Sequence, residues 1–251
     1  MKVLLVPPVH RYSVEYPSPL SLSDFPSGFA YISSALKAAG HEVYGANMNN
    51  IFGYVNAEAM LKDVLTKKIQ ETQPELIGLG GLCTDYKFLK DAIGIIRANT
   101  KAPIVLGGQI VNNDAEDIFN LLKPDWAVKG DAEEAIVSLV GGGYPKGIIE
   151  AMPIKDIDSL NFPDYTPFGV DDMMDNYSLA TRLLYRYSRE NPRLYPIVTA
   201  RGCVWNCSFC VDHRRSYRER SMDNIKEEIR QTYDRFHFNI LLILDELFAV
   251  N

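Results

Sequence analysis

Three of the four cysteines fall within eight residues, in the run Arg201-Gly202-Cys203-Val204-Trp205-Asn206-Cys207-Ser208-Phe209-Cys210. A C-x3-C-x2-C spacing is too crowded for a disulfide framework but lets the thiols converge on a metal. Three thiolates from one loop can hold three irons of a cubane cluster and leave the fourth iron an open coordination position. A closed Cys3His zinc site that adds His213 is the competing reading, because zinc also takes tetrahedral sulfur and nitrogen ligands. A strand before the loop, a helix after it and Phe209 beside the last thiol favour iron. Cys83 stands apart and reads by default as a small buried residue among glycines.

A second constellation is glycine-rich. Gly78, Gly80 and Gly81 precede Leu82-Cys83-Thr84, Gly107-Gly108 precede Gln109, and Gly130 precedes Asp131. Glycine in such places is ordinary turn chemistry. It also lets a backbone approach a ligand closely, with N–H groups free to meet phosphate or amide oxygens. Three successive strands ending this way point to a binding edge. No G-x-G-x-x-G follows the first apolar run, which argues against a nicotinamide dinucleotide.

The elements that must position these groups follow from hydrophobic period. Val3 to Val6, His41 to Ala46, Leu76 to Leu79, Ile104 to Leu106 and Trp126 to Val128 read as strands. Between them, helical spacing covers Phe29 to Leu36, Ala57 to Gln70, Phe88 to Arg97 and Ala115 to Leu122. Alternation of this kind predicts an α/β fold, a Rossmann-like parallel sheet with helices on both faces and ligands at the carboxyl ends of the strands. Met152 to Tyr177, with Pro153, Pro163 and Pro167 and little periodicity, reads as a linker. A helix around Leu179 to Arg189, a strand Ile197 to Ala200, the cysteine loop, a helix Met222 to Phe236 and a strand Ile240 to Leu244 then make a second β, α, β. The domain expectation is therefore residues 1–145, a linker over 146–192, and residues 193–251.

Composition narrows the function classes. The 251 residues are 47% hydrophobic and 23% charged, which is globular, and the net charge of -6 argues against a general nucleic-acid or membrane-surface binder. Charge is uneven, because Arg182 to Arg235 holds twelve bases against seven acids. Solvated helix faces account for most of this, and Arg201, Arg214, Arg215, Arg218 and Arg220 around the cysteine loop could attract an anionic group. No run approaches the ~18 apolar residues of a membrane span, and MKVLLVPPVH turns polar too soon for a signal peptide. A cytoplasmic protein is expected.

The cysteine run, with its lead-in Thr199-Ala200-Arg201-Gly202, resembles the cluster motif of radical S-adenosylmethionine (SAM) enzymes. Tyr217 to Ile225 and Ile243 to Phe248 are similar to that family's post-cluster segment and second strand. The first 150 residues resemble the cobalamin (B12)-binding domain of its cobalamin-dependent class, through Pro26 to Leu36, Gly78 to Thr84, Val105 to Gly108 and Gly130 to Glu133.

The resemblance implies that Cys203, Cys207 and Cys210 ligate a [4Fe-4S] cluster whose open iron chelates SAM. One-electron cleavage of SAM would yield a radical that abstracts hydrogen from a small-molecule substrate, with methyl transfer from cobalamin or a related carbon-centred reaction. It further implies Phe209 beside the adenine and Asp245 or Glu246 at the SAM ammonium. Gly80, Gly81, Leu82, Cys83, Thr84, Gly107, Gly108, Gln109, Gly130 and Asp131 would line the cobalamin. The chain lacks D-x-H-x-x-G, so base-off cobalamin without a histidine donor is expected. His10 and His41 stay loop or capping residues, and Tyr12 and Tyr16 are candidates for the cobalt face.

A full (β/α)8 barrel takes ~200 residues or more, and only the first β, α, β stands beyond Ile197. The expectation is a front part of a longer enzyme, inactive or weakly active alone, with an open edge on Ile240 to Leu244 that invites self-association. A cobalamin carrier or sensor without catalysis and a zinc-dependent interaction domain are the alternatives.

Overall fold

Short apolar runs punctuated by Pro, Gly and Asn become parallel strands, because the helix after each run carries the chain back across the sheet. A computed structural model describes residues 1–10, 12, 25–49, 51, 53–175, 185, 190–208, 210, 216–248 and 250. The first elements are β1 (Lys2–Val6), α1 (Ser27–Ala38), β2 (Glu42–Gly45), α2 (Ala57–Thr72), β3 (Leu76–Gly80), α3 (Tyr86–Asn99) and β4 (Ile104–Gly107). They continue with α4 (Gln109–Asn113), α5 (Ala115–Leu122), β5 (Trp126–Lys129), α6 (Ala132–Val140) and β6 (Gly147–Glu150). The sheet order is β2-β1-β3-β4-β5-β6, and all neighbours are parallel. From β1 the chain goes first to one side and then, after β2, to the other. That reversal opens a crevice at the carboxyl ends of β1 and β3, where doubly wound sheets bind ligands.

Both faces of the sheet are covered. Met60, Leu61 and Leu65 of α2 and Phe88, Leu89 and Ile96 of α3 form one cluster with Leu4, Val6, Ile77, Leu79 and Leu106. The alternate strand residues Val3, Leu5 and Val105 are buried as well, and α1 packs against α6. Asn56 starts α2 by accepting the Ala59 N–H at 2.8 Å, and Gln73 ends it in the left-handed region at φ +48°. Among these elements, α4, α6 and β6 are additions to those read from hydrophobic period.

The described residues divide into two compact units. One is built from residues within Met1–Ser18, Pro26–Met152 and Pro163–Gly169, the other from residues within Pro19–Phe25, Pro153–Phe162 and Val170–Asn251. The aperiodic stretch after Met152 therefore contributes to both. Its buried residues, Ile154 and Ile157 in the second unit and Tyr165 and Phe168 in the first, are single anchors that no period reveals.

The second unit holds α7 (Val170–Asp175), β7 (Leu194–Ile197), β8 (Ala200–Arg201), β9 (Arg218–Glu219), α8 (Met222–Phe236) and β10 (Ile240–Ile243). β7 and β10 pair in parallel, and β8 and β9 antiparallel. Tyr195 is fully buried, with ring centroids 5.8 Å from Phe236 and 5.0 Å from Phe238.

The strand expected over Ile197 to Ala200 lies three residues earlier and contains Pro196. Arg193 and Ile197 carbonyls accept the Ile240 and Leu244 N–H groups, so odd-numbered residues of β7 face β10. Pro196 turns its nitrogen to the other edge, where no ladder bond is lost. The helix expected around Leu179 to Arg189 lies, apart from Tyr185, outside the described residues. Among the described residues, no helix is long and apolar enough to cross a membrane.

Asp164 ties its segment to α1 by accepting from Ser33 Oγ at 2.9 Å and Lys37 Nζ at 2.6 Å, and it also accepts from Thr166. Burial alone would push the Asp164 carboxyl up, but the donors Lys37, Thr166 and Ser33 outweigh it and hold it below its ordinary value. A carboxylate lowered in this way stabilises the fold above its unfolded pKa of ~3.9, and the contribution is lost as pH falls through the folded value. Asp164→Asn is expected to destabilise the first unit by ~1 kcal/mol at pH 7 and by less near pH 3, as read from denaturant melts at both pH values.

Candidate functional site

In the first unit the registers Val6↔Leu79 and Gly80↔Gly107 bring the carboxyl ends of β1, β3 and β4 level. Leu82, Cys83 and Thr84 are exposed just beyond β3. Asp85 closes the turn there, its carboxylate accepting the Leu82 N–H at 2.8 Å. The strand-end glycines have distinct physical reasons. A Cβ on Gly108, whose φ is +85°, would sit 2.7 Å from the Gly81 nitrogen, and one on Gly81 would meet the Asp85 carboxylate at 2.7 Å. Gly130, at φ +107°, faces the Ala151 carbonyl oxygen so closely that a Cβ would collide with it. At Gly80 a Cβ would come 3.1 Å from the Gly107 oxygen. Packing therefore accounts for these four. A Cβ on Gly107 would meet nothing nearer than 3.7 Å, so packing does not explain that glycine.

The short helix α4 ties three strand ends together. The Ile110 N–H donates to the Gly81 carbonyl at 3.0 Å, and Asn112 Oδ1 accepts the Gly130 N–H at 2.8 Å. Asn113 Nδ2 lies 3.3 Å from Cys83 Sγ, and Asn113 Oδ1 is buried without a partner among the described residues. Reversing the amide would only move the deficit to its nitrogen. Asn112 and Asn113 escaped the sequence reading, and the sole hint was two amides following Gly-Gly-Gln. Gln109 accepts from Asn112 Nδ2 at 3.2 Å, and Asp131 precedes α6 in extended conformation.

Tyr12 is buried. Its hydroxyl donates to Asp91 Oδ2 at 3.0 Å, and the Lys87 ammonium lies 4.7 Å from its ring centroid. Burial first and the Asp91 bond second raise its pKa well above the ordinary phenol value. Its ring is thus committed to packing on α3. His10 donates its backbone N–H to Asn49 Oδ1 at 2.8 Å, and Tyr16 lies outside the described residues.

In the second unit the cysteine loop leaves from β8 and returns to β9, whose pairing Ala200↔Glu219 and Arg201↔Arg218 closes its root. Gly202, at φ +83°, lets the returning chain pass, since a Cβ there would strike the Ser216 carbonyl oxygen. Cys203 and Cys210 are half-buried, Cys207 is exposed, and no disulfide joins the four cysteines. The Cys210 N–H donates to the Cys207 carbonyl at 3.0 Å, and the Trp205 N–H lies 3.5 Å from Cys203 Sγ. Among the described residues, no three His, Cys, Asp or Glu side chains are gathered closely enough to hold a metal ion in this arrangement. Phe209, His213, Arg214 and Arg215 lie outside the described residues. Trp205 and Val204 stand exposed between the first two thiols.

Charged side chains fix the frame behind the loop. Arg220 Nη1 bonds the Val198 carbonyl at 2.9 Å and Glu228 Oε2 at 2.5 Å, while Arg220 Nε bonds Asn224 Oδ1 at 2.6 Å. Glu228, fully buried on α8, also accepts the Tyr195 hydroxyl at 2.9 Å. Asp245, just past β10, accepts both the N–H of Thr199, at 2.7 Å, and its hydroxyl. Glu246 beside it is exposed.

Residues 24–140 match the family model described as B12 binding domain. Over 242 residues the chain is 24% identical to the anaerobic magnesium-protoporphyrin IX monomethyl ester cyclase of Cereibacter sphaeroides, spanning 90% of this chain and 38% of that protein. Over 240 residues it is 26% identical to the hopanoid C-3 methylase of Methylococcus capsulatus, spanning 86% of this chain and 43% of that protein. The chain thus spans about half, or less, of the curated relatives it matches. The radical S-adenosylmethionine methyltransferase TsrM from Kitasatospora setae, solved with cobalamin and a [4Fe-4S] cluster, shares the fold at a TM-score of 0.64 and 18% identity. That likeness covers 98% of this chain and 47% of TsrM. These likenesses agree with the resemblance read from the residues.

Removing one member of a buried ion pair leaves the other charge uncompensated. Glu228→Ala is expected to destabilise the second unit by ~3–5 kcal/mol, seen as lost amide-exchange protection in α8 while α2 and α3 keep theirs.

Proposed function

We propose that the chain is the cofactor-binding part of a cobalamin-dependent radical SAM enzyme, a methyltransferase or an enzyme of related carbon-centred chemistry acting on a small molecule. Residues 1–145 would hold cobalamin, residues 193–251 would open the radical SAM domain, and residues 146–192 would join them after β6 completes the first sheet. One observation carries the reading. A loop with three thiols is closed at its root by β8 and β9 at the carboxyl end of a parallel strand, in the same chain as a match to the B12 binding domain.

The donor sets fit both groups. Three thiols on one loop whose root β8 and β9 close would suit an iron–sulfur cluster with one open iron once they converge on it, and amide donors near sulfur, such as the Trp205 N–H, are a lever on its potential. In the first unit, the buried Asn113 Oδ1, unpartnered among the described residues, suits a ligand rich in amide donors, and Gly107 leaves room for a close approach. When bound, the cluster with SAM supplies a radical by one-electron cleavage, and cobalamin supplies a methyl group; the protein orients them and excludes water.

The roles of the chain's own residues follow. Cys203, Cys207 and Cys210 would hold iron, and, as the resemblance implies, Phe209 and Asp245 or Glu246 would serve SAM. Gly80 to Thr84, Gly107 to Gln109, Gly130 and Asp131 border the cobalamin tail. The Tyr12 hydroxyl is engaged by Asp91, and with no D-x-H-x-x-G in the chain the cobalamin would bind without a histidine donor.

Protein reconstituted without air with iron, sulfide and hydroxocobalamin is expected to hold about four irons per chain, the content of one cubane cluster, and one cobalt. Cys203→Ala, Cys207→Ala and Cys210→Ala are each expected to lose the iron and keep the cobalt. Stoichiometric zinc in place of iron, or cobalamin with no iron under any reconstitution, would contradict the reading.

Gly107→Ala separates binding from folding. With no steric conflict nearer than 3.7 Å, the variant is expected to fold with unchanged or slightly raised stability, by ~0.5 kcal/mol, and to bind cobalamin at least ~10-fold more weakly in equilibrium titration. Wild-type affinity in that variant would remove Gly107 from the site.

A further inference from the structure

We infer that Asp245 is a positioning residue that holds the root of the cysteine loop, rather than a contact for the SAM ammonium. The inference rests on the reading that the three thiols hold an iron–sulfur cluster.

Strand register sets up the contact. Ile243 pairs with Ile197, so two residues on, Asp245 comes opposite Thr199, four residues before Cys203. There the Asp245 carboxylate takes the backbone N–H on Oδ1, at 2.7 Å, and the side-chain hydroxyl on Oδ2. Two donors from one residue, one on each oxygen, fix the plane and direction of a carboxylate. The Thr199 carbonyl accepts the Arg220 N–H at 2.9 Å, which gives all three polar groups of Thr199 a partner.

Arg220 extends the frame backwards. It binds the Val198 carbonyl and the buried Glu228, lies 5.5 Å from the Phe162 ring centroid, and through Glu228 reaches Tyr195 of β7. The chain therefore enters the loop from a residue clamped by Asp245, just past β10, on one side and by Arg220, between β9 and α8, on the other. A loop whose thiols must meet three irons gains from such a root, because the root is then ordered before the metal arrives and only the thiols have still to converge.

A neutral isostere separates the two roles of Asp245. In Asp245→Asn the amide oxygen can still accept the Thr199 N–H, and the amide nitrogen can donate to the Thr199 hydroxyl. The clamp survives while the charge a SAM ammonium would need is gone.

Three readouts test this on the full chain. In reconstituted protein, iron release to a ferrous chelator is expected to quicken ~10-fold or more in Asp245→Ala, as suits loss of two bonds to a charged acceptor. It should quicken less in Thr199→Ala, which loses only the hydroxyl, and return to the wild-type rate in Thr199→Ser. Amide exchange over residues 199–203 of iron-free protein should rise in the same order, with α8 unchanged. Asp245→Asn should keep wild-type iron release and exchange, and bind SAM within ~3-fold of wild type, since neither bond of the clamp is lost.

Wild-type release and exchange in Asp245→Ala would overturn the inference. So would an Asp245→Asn protein that keeps its iron but loses SAM affinity ~10-fold or more, the loss expected for a charged contact. If the wild-type protein takes up no iron, the cluster reading fails, and amide exchange in the iron-free variants still decides whether Asp245 holds the loop.

Discussion

Parallel strands deliver their carboxyl ends to one edge, and among the described residues the candidate ligand groups hang from loops beyond such ends. The structure depends on how those loops are held, because a loop rooted only at a strand end has no reason to keep one shape. Hydrophobic packing builds the layers beneath, but it is non-directional and cannot aim a thiol or a backbone N–H. Aiming is left to close backbone approaches and to hydrogen bonds with fixed geometry.

The two units solve this problem with different materials. In the first, the ends of β3, β4 and β5 approach until only glycine fits at Gly81, Gly108 and Gly130, and α4 stitches them through Ile110, Asn112 and Asn113. In the second, a two-residue pairing, one glycine and a set of charged side chains enclose the root of the loop. A buried pair such as Arg220 and Glu228 contributes little net stability against its desolvation. Its extra bonds to Tyr195, Asn224 and Val198 show what it does provide, a unique arrangement of β7, α8 and the chain leading to Cys203. Leu241 and Ile243 of β10, and Leu244 just after it, are partly exposed.

Much of the fold was legible because it is periodic. The alternation from β1 to β5 and the helix Met222–Phe236 follow from spacing, with Ser221 accepting the Asn224 N–H at 3.2 Å to start that helix. What escaped is short or aperiodic. The five residues of α4 are too few to show a helical face, and the anchors Ile154, Ile157, Tyr165 and Phe168 sit singly among prolines. β7 was displaced because a proline reads as a strand breaker unless the bonded side of the strand is known. Of the candidate site, the cysteine spacing and the strand-end glycines were visible as types and positions. The reasons for individual glycines, the pairing of Asp245 with Thr199 and the unpartnered Asn113 oxygen are facts of three-dimensional approach, and no spacing encodes them.

The account stands on two metals held by two loop systems. Anomalous diffraction from crystals grown without air after reconstitution, recorded at the iron, cobalt and zinc edges, locates each directly. Iron bonded to Cys203, Cys207 and Cys210 Sγ, with cobalt at the carboxyl edge of β1, β3 and β4, is the expected result. A zinc peak at the cysteines, or cobalt elsewhere on the chain, would contradict it.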